Sequence, residues 1–414
     1  MDQIKVKETL SDQQSRFYKK EQLVARDVDL DGYLKKKHIV VLTGLRRSGK
    51  STLLKLFSQK IKGCYVRFDD VRFSDFQTED FEKIEQFALQ NYGANPVFYL
   101  DEIQDVDNWE KWVNDLHAKG YKVFVTGSNA KLLSSEFATH LTGRYVSLIV
   151  MPFSFREVLL YNGLTDYSYS TKTKANIMNL FDTYMKKGSF PEVVLTEDSS
   201  FVSQYYQDIV GKDILLRYGL KLKKDVFQFG LFALSNIGKT MSYSKVQSAI
   251  SIKSLETVKS YVDAYTESFV LHTLSRFDYS VKKQMISSAK IYAGELGFIS
   301  EVGFHFSDDL GRILENVVFL QLKRLGEEVY YHKEKQECDF VIKKGLKITS
   351  TIQVCYSLNK NNRTREINGL IEACTMYKLK TALLLTYDQE ETFEKDGINI
   401  NVQPVWKWLI GQKD

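Results

Sequence analysis

The 414-residue sequence predicts an α/β fold built on a parallel sheet, and three observations lead there. The run Gly44-Leu45-Arg46-Arg47-Ser48-Gly49-Lys50-Ser51 has the spacing G-x-x-x-x-G-K-S and lies between a strand-like segment, Ile39 to Leu42, and a helix-like one, Thr52 to Phe57. Short apolar runs at Ile39 to Leu42, Tyr65 to Phe68, Val97 to Leu100, Lys122 to Thr126 and Val146 to Val150 alternate with helix-length polar-periodic stretches, the signature of βαβ units. Four prolines and 13% aromatic residues leave room for large cores and little for linkers.

The glycine-rich run is a phosphate cradle. Its glycines let the backbone bend close to an anion, so that successive N–H groups and the N-terminus of the next helix point at phosphate. Contacts are expected from Gly44, Leu45, Arg46, Arg47, Ser48, Gly49, Lys50, Ser51 and Thr52, with Lys50 adding a mobile positive charge and the Ser51 hydroxyl ligating Mg²⁺. The expected cofactors are therefore ATP and Mg²⁺.

Residues 1 to about 37 read as a charged, helical lead-in with Leu23, Val24, Val28, Leu30 and Leu34 toward one buried face. After the alternating core, the pattern turns helical from Phe153 to Leu216, with segments at Ile177 to Lys187 and Phe201 to Leu216. Asp225 to Asn236, Ser242 to Ile250 and Ser254 to Phe269, followed by β-prone Val270 to Leu274, have the order of a winged helix, whose third helix would present Thr257, Lys259 and Tyr261. A last segment opens with a helix at Leu314 to Leu325 and continues with strands around Glu328 to His332, Cys338 to Lys343, Thr351 to Tyr356 and Thr381 to Thr386, with a helix at Arg365 to Tyr377. The expected domains are 1-155, an ATPase domain with its lead-in; 156-220, a helical region; 221-300, a winged helix; and 301-414, a second α/β domain.

A net charge of +5 permits a nucleic-acid partner without requiring one. Cys64, Cys338, Cys355 and Cys374 form no C-x-x-C pair and the six histidines show no metal spacing, which argues against a zinc site or disulfide framework. No uncharged apolar run approaches the ~18 residues of a membrane span, and the N-terminus lacks the apolar core of a signal peptide. The expectation is a cytoplasmic protein with free thiols and no membrane partner.

Val97-Phe98-Tyr99-Leu100-Asp101-Glu102 is an apolar strand ending in two acids. Asp101 would organise the metal's shell, and Glu102, just beyond it, would take a proton from the attacking water. At the end of the next strand, Ser128 or Asn129 would touch the γ-phosphate or the water from the side, with an ordinary turn and helix cap as the alternative. Arg144 would stabilise charge on the transferred phosphoryl group in cis or across a subunit boundary, unless it is a surface arginine.

These motifs, with Leu141-Thr142-Gly143-Arg144-Tyr145 and Met151-Pro152-Phe153-Ser154-Phe155-Arg156-Glu157, resemble the prokaryotic AAA-type ATPases that carry a C-terminal domain of unassigned function. The likeness extends to Thr257-Val258-Lys259-Ser260-Tyr261, Lys290-Ile291-Tyr292, Leu314-Glu315-Asn316 and Glu337-Cys338-Asp339-Phe340, and so to nearly the whole chain. It implies an ATPase of the catalytic-glutamate type, a winged helix and a C-terminal α/β restriction-endonuclease-like domain. A nuclease of that fold needs acids to hold Mg²⁺ and a lysine near the scissile phosphate. The candidates here are Glu315, Asp339 and Gln353, but Gln353-Val354-Cys355 stands where acid-x-Lys is expected, and neither an amide nor a thiol replaces those groups. Three readings stay open: an inactive nuclease-like fold that binds a partner, an unusual live nuclease, and a structural polar cluster. Lys333, Lys335, Arg363 and Arg365 would supply a phosphate-binding surface, or a merely solvated one.

The leading expectation is an ATP hydrolase whose nucleotide state controls the winged-helix and nuclease-like domains. The alternatives are an ATP-gated, Mg²⁺-dependent DNA nuclease and a slowly hydrolysing DNA-binding regulator. DNA, a protein partner and further copies of the chain are the expected partners.

Overall fold

The computed structural model describes residues 1–127, 143–165, 167, 170–304 and 310–411. Two compact units divide the chain, Met1–Pro152 and Phe153–Asp414. The first holds strands β1 (Ile39–Thr43), β2 (Cys64–Arg67), β3 (Phe98–Asp101), β4 (Val123–Thr126) and β5 (Tyr145–Ile149). They form one sheet in the order β2-β3-β4-β1-β5, and every pairing is parallel. A parallel sheet covered on both faces requires strands that are apolar throughout, which is why β1, β3 and β4 are buried at every position. Because side chains alternate along a strand, Ile39 and Val41 enter one core with Phe98, Leu100 and Trp112, whereas Val40 and Leu42 enter the other with Phe57, Tyr99 and Phe124.

The lead-in differs from expectation. Its long helix is Gln3–Phe17, anchored in the first core by Val6 and Leu10, while Leu23, Val28, Leu30 and Leu34 are only partly buried against the second. The helix caps the outer edge of β2. Gln13 accepts from the Arg67 N–H at 2.9 Å and donates to the Arg67 carbonyl at 3.0 Å; Gln14 does the same for Tyr65 at 3.0 and 2.6 Å. Backbone groups that would otherwise template another strand are thereby paired.

The second unit begins with helices Phe155–Tyr161, Thr171–Lys187, Pro191–Thr196 and Ser200–Ile209, the last continuing as a π-helical turn, Val210–Leu216. Helices Lys223–Leu234, Tyr243–Ala249 and Leu255–Glu267 follow, with β6 (Thr240–Met241), β7 (Leu271–Leu274) and β8 (Ala289–Ala293) in an antiparallel sheet ordered β6-β8-β7. Tyr261 is only 2% exposed and belongs to the core, not to a reading face. The exposed positions of that helix include Glu256, Lys259 and Asp263, so its surface is not basic.

Beyond the helix Leu310–Arg324 lies a six-stranded sheet, β9 (Glu328–Lys333), β10 (Glu337–Lys344), β11 (Lys347–Val354), β12 (Thr381–Thr386), β13 (Glu391–Lys395) and β14 (Ile398–Pro404), ordered β13-β14-β12-β11-β10-β9. β11, β12 and β14 run parallel, and helix Arg363–Tyr377 makes the crossover from β11 to β12. The last two strands lie beyond those expected.

The two sheets of this unit are joined through helix Leu310–Arg324. Asn316, fully buried, accepts from the Ala293 N–H at 2.8 Å and donates to the Ala293 carbonyl at 3.0 Å, while Phe319 stacks on Tyr292 at 4.1 Å. Asn316→Ala leaves a buried donor and a buried acceptor unpaired and is expected to destabilise the protein by about 2–5 kcal/mol. A urea midpoint equal to that of the wild type would contradict this account of the joint.

Candidate functional site

β1 ends at Thr43, and the chain leaves it past β5: the Val150 N–H donates to the Thr43 carbonyl at 2.7 Å, and a Cβ at Gly44 would lie 2.2 Å from the Val150 carbonyl oxygen. Arg47 and Gly49 take left-handed backbone, φ 69° and 95°, and helix Lys50–Lys60 begins immediately after. Successive amides and the positive end of the helix dipole therefore face the same point. Lys50 is 5% exposed and folds back on the loop, its Nζ donating at 3.0 Å to the carbonyls of Gly44 and Leu45. Ser51 and Thr52 are exposed on the first turn of that helix, and Arg46 is half-buried. The buried hydroxyls of Thr43 and Ser48 have no hydrogen-bond partner among the described residues, so the cradle keeps polar capacity for a ligand. Arg26, which sequence reasoning missed, clamps the loop by donating to the Ser48 carbonyl at 3.1 Å and the Met151 carbonyl at 2.6 Å.

The parallel order puts the ends of β3 and β4 beside that of β1. Asp101, 2% exposed, accepts from the Tyr65 hydroxyl at 2.8 Å and from the Thr126 hydroxyl, which itself accepts from the Glu102 N–H at 3.1 Å. Glu102 has φ 54° and ψ 42°, a left-handed conformation uncommon outside glycine. Burial pushes its carboxyl above the ordinary value, against the opposing pull of the Lys50 and Arg46 cations, while the Asp101 charge adds to the rise. Gln104 donates to Glu102 Oε2 at 2.6 Å. The residues expected to bind phosphate and metal, Gly44 to Thr52 with Asp101 and Glu102, thus surround one strand-end cleft.

Arg144 does not join them. Its carbonyl accepts from the Ile39 N–H, at the start of β1, and its guanidinium donates to Asn114. The cradle lies at the other end of the strand, roughly 13 Å away at 3.3 Å per residue. Contact in cis is therefore withdrawn, and only a role across a subunit boundary stays open. Ser128 and Asn129 lie outside the described residues.

In the second unit Glu315, Asp339 and Gln353 do converge, around a cation that the chain supplies. Lys290, 2% exposed on β8, places its ammonium 3.1 Å from Glu315, 2.8 Å from Glu337 and 2.9 Å from Asp339. The Tyr292 hydroxyl donates to Glu315 at 2.6 Å. Gln353 is a brace: its carbonyl oxygen accepts from the Asp339 N–H at 3.1 Å and its amide donates to Glu366 at 2.7 Å. Cys355 is a buried thiol pushed up to about 12 by burial, which leaves it without nucleophilic or cationic character. Among the described residues no three Asp, Glu, His or Cys are arranged to hold a metal ion. A cavity of about 760 Å³ opens over the cluster, with Lys333, Lys335 and Arg365 in its lining; Arg363 lies elsewhere, paired with Glu391 at 2.7 Å. Lys333 and Arg365 pair with Glu337 at 3.0 Å and Glu366 at 2.5 Å. No spacing in the sequence ties Lys290 to these acids; only the fold does.

Residues 36–159 match the AAA domain family, and residues 178–305 and 310–408 match two domains of unknown function, DUF8612 and DUF4143. The chain is 31% identical to the uncharacterized protein MJ1544 of Methanocaldococcus jannaschii over 95% of its own length and 92% of that protein's. It is 29% identical to an uncharacterized protein of Haemophilus influenzae, over 90% and 94% of the two chains. Among solved structures, the Walker-type ATPase PABY2304 of Pyrococcus abyssi aligns at 14% identity and a TM-score of 0.44, over 69% of this chain and 99% of that one.

Burial, with the Asp339 charge second, pushes Glu315 up to about 7. A carboxyl raised on folding contributes stability that is full below its unfolded value and is lost as pH rises through the folded one. Between pH 4.5, the ordinary value, and about 7, the wild type is expected to lose stability that Glu315→Gln does not lose. Urea midpoints across that range check this, and parallel curves for the two proteins would contradict it.

Proposed function

Because the chain belongs to the family of the Methanocaldococcus jannaschii protein MJ1544 and carries an AAA-type P-loop ATPase domain, we propose that it binds ATP in the cradle and hydrolyses it. The observation that carries this reading is the position of Glu102, past the metal-side acid Asp101 and within the electrostatic reach of Lys50 and Arg46. Backbone amides from Leu45 to Ser51 hold the phosphates. Lys50 exchanges its two carbonyl partners for phosphate oxygens, a gain because a charge-assisted bond to an anion is the stronger one. Mg²⁺, when bound through Ser51 and the shell organised by Asp101, offsets charge on the transferred group. Asp101 is kept in place by the Tyr65 and Thr126 hydroxyls, and Glu102 takes the proton of the attacking water. Ser128 or Asn129 at the end of β4, and Arg144 from a neighbouring copy, complete the proposed set.

The nucleotide state is proposed to regulate the second unit and, through it, a macromolecular partner. The order helix, β6, helix, helix, β7, β8, with a short helix Val281–Ile286 inserted between the last two strands, supports the winged-helix reading, and a helix followed by an antiparallel sheet that turns parallel through a helical crossover supports the nuclease-like one. Metal-dependent cleavage is disfavoured by Lys290, whose ammonium already compensates Glu337 and Asp339. A bound divalent cation would have to displace a buried, triply paired charge, which is costly.

Glu102→Gln removes the base but keeps the shape of the site. It is expected to bind ATP as the wild type does while phosphate release falls by about 10²–10⁴-fold; unchanged turnover would remove the base from Glu102. Incubated with DNA and Mg²⁺, the wild-type protein is expected to leave the DNA intact. Cleavage that disappears in Asp339→Ala would reinstate the nuclease reading.

A further inference from the structure

β3 delivers Asp101 and Glu102, but the chain does not simply loop away after them. It makes a single 3₁₀ turn, Ile103–Asp105, held by Ile103, which is fully buried in the first core. The left-handed backbone at Glu102 turns the chain so that the side chains of Glu102 and Gln104 meet. A non-glycine residue in that region is strained and persists only where its surroundings impose it.

Gln104 Nε2 donates to Glu102 Oε2 at 2.6 Å. A carboxylate offers only acceptors, so the amide nitrogen must face it and the amide oxygen must point away. That oxygen, Gln104 Oε1, is buried and has no hydrogen-bond donor among the described residues. Buried carbonyl oxygens are nearly always paired, because leaving one unpaired forfeits its hydration without replacement. No described residue supplies the O–H or N–H that would satisfy it, so an acceptor stands open beside the proposed base.

We infer that Gln104 is a water-positioning residue for ATP hydrolysis: its amide nitrogen fixes Glu102 while its amide oxygen accepts one hydrogen of the attacking water. This rests on Glu102 being the base. The water then gives one hydrogen bond to the Glu102 carboxylate and one to Gln104 Oε1, and its lone pair is left to face the γ-phosphorus. As the water oxygen bonds to phosphorus, the bond from phosphorus to the β–γ bridging oxygen breaks. The water's proton passes to Glu102, and ADP departs with the bridging oxygen and its electron pair. Gln104 gains and loses no proton; a water held by two acceptors has less freedom to lose before attack than one held by the base alone.

Two substitutions separate this from a packing role. Gln104→Leu keeps the volume and removes both polar atoms. Its affinity for a non-hydrolysable ATP analogue and its melting temperature are expected to stay close to wild type, while kcat falls by about 10–100-fold, a part of what general-base catalysis supplies. Gln104→Glu keeps an acceptor oxygen but has no donor for Glu102, and its kcat is expected to fall by about 10–100-fold as well, with the melting temperature close to wild type. A kcat within twofold of wild type in either variant overturns the inference while leaving Glu102 as the base. Turnover that survives in Glu102→Gln overturns both.

Discussion

The central strand β1 is hydrogen-bonded on both sides, and its exit is a tight passage. The chain passes the end of β5 so closely that any side chain on residue 44 would overlap the Val150 carbonyl. This constraint does more than demand a glycine. It forces the loop to turn away before the helix starts, with Arg47 and Gly49 left-handed. The parallel order then places Asp101 and Thr126, the last residues of β3 and β4, along the same edge. If β5 shifted to admit a larger residue, the Tyr145-to-Ile149 register on β1 would shift with it, and the cradle would lose the wall against which it is bent.

Much of this was legible in the sequence because it is local. A cradle between strand and helix, and two acids at a strand end, are fixed by residues close together in the chain, and the buried parallel strands announce themselves as unbroken apolar runs. What stayed hidden depends on tertiary position. The helix Gln3–Phe17 has few apolar residues and is held in part by Gln13 and Gln14 on the edge of β2, an interaction without periodicity. β14 alternates buried Ile398, Ile400 and Val402 with exposed or half-buried neighbours, a readable but short signal; β13 is an edge strand with exposed Thr392, Glu394 and Lys395 and has no apolar face to read. Arg144 looked like a site residue from its neighbours in sequence, yet a residue that precedes a parallel strand arrives at the end of the sheet opposite the cradle. Lys290 belongs to a strand of one small sheet and closes a cluster built from another, so no linear spacing could reveal it.

The two acidic sites of the molecule solve the same electrostatic problem in opposite ways, and the difference bears on function. A buried carboxylate needs donors or a counter-charge. At Asp101 and Glu102 the side-chain hydrogen bonds from described residues come from neutral donors, the Tyr65 and Thr126 hydroxyls and the Gln104 amide, while the Lys50 and Arg46 cations also act on Glu102. Neutral donors orient the oxygens without cancelling their charge, so the field that attracts a cation and a polarised water survives. At Glu315, Glu337 and Asp339 the protein supplies a full ammonium, 2% exposed and bonded to all three, and adds the Tyr292 hydroxyl. There the charge is compensated from within, and an arriving divalent ion would gain little beyond what it must displace. By this criterion the acids of the first site are less fully compensated than those of the second, which form a joint between elements. The sequence pairs acids in both places; which of them are left uncompensated is decided by where the fold puts one lysine.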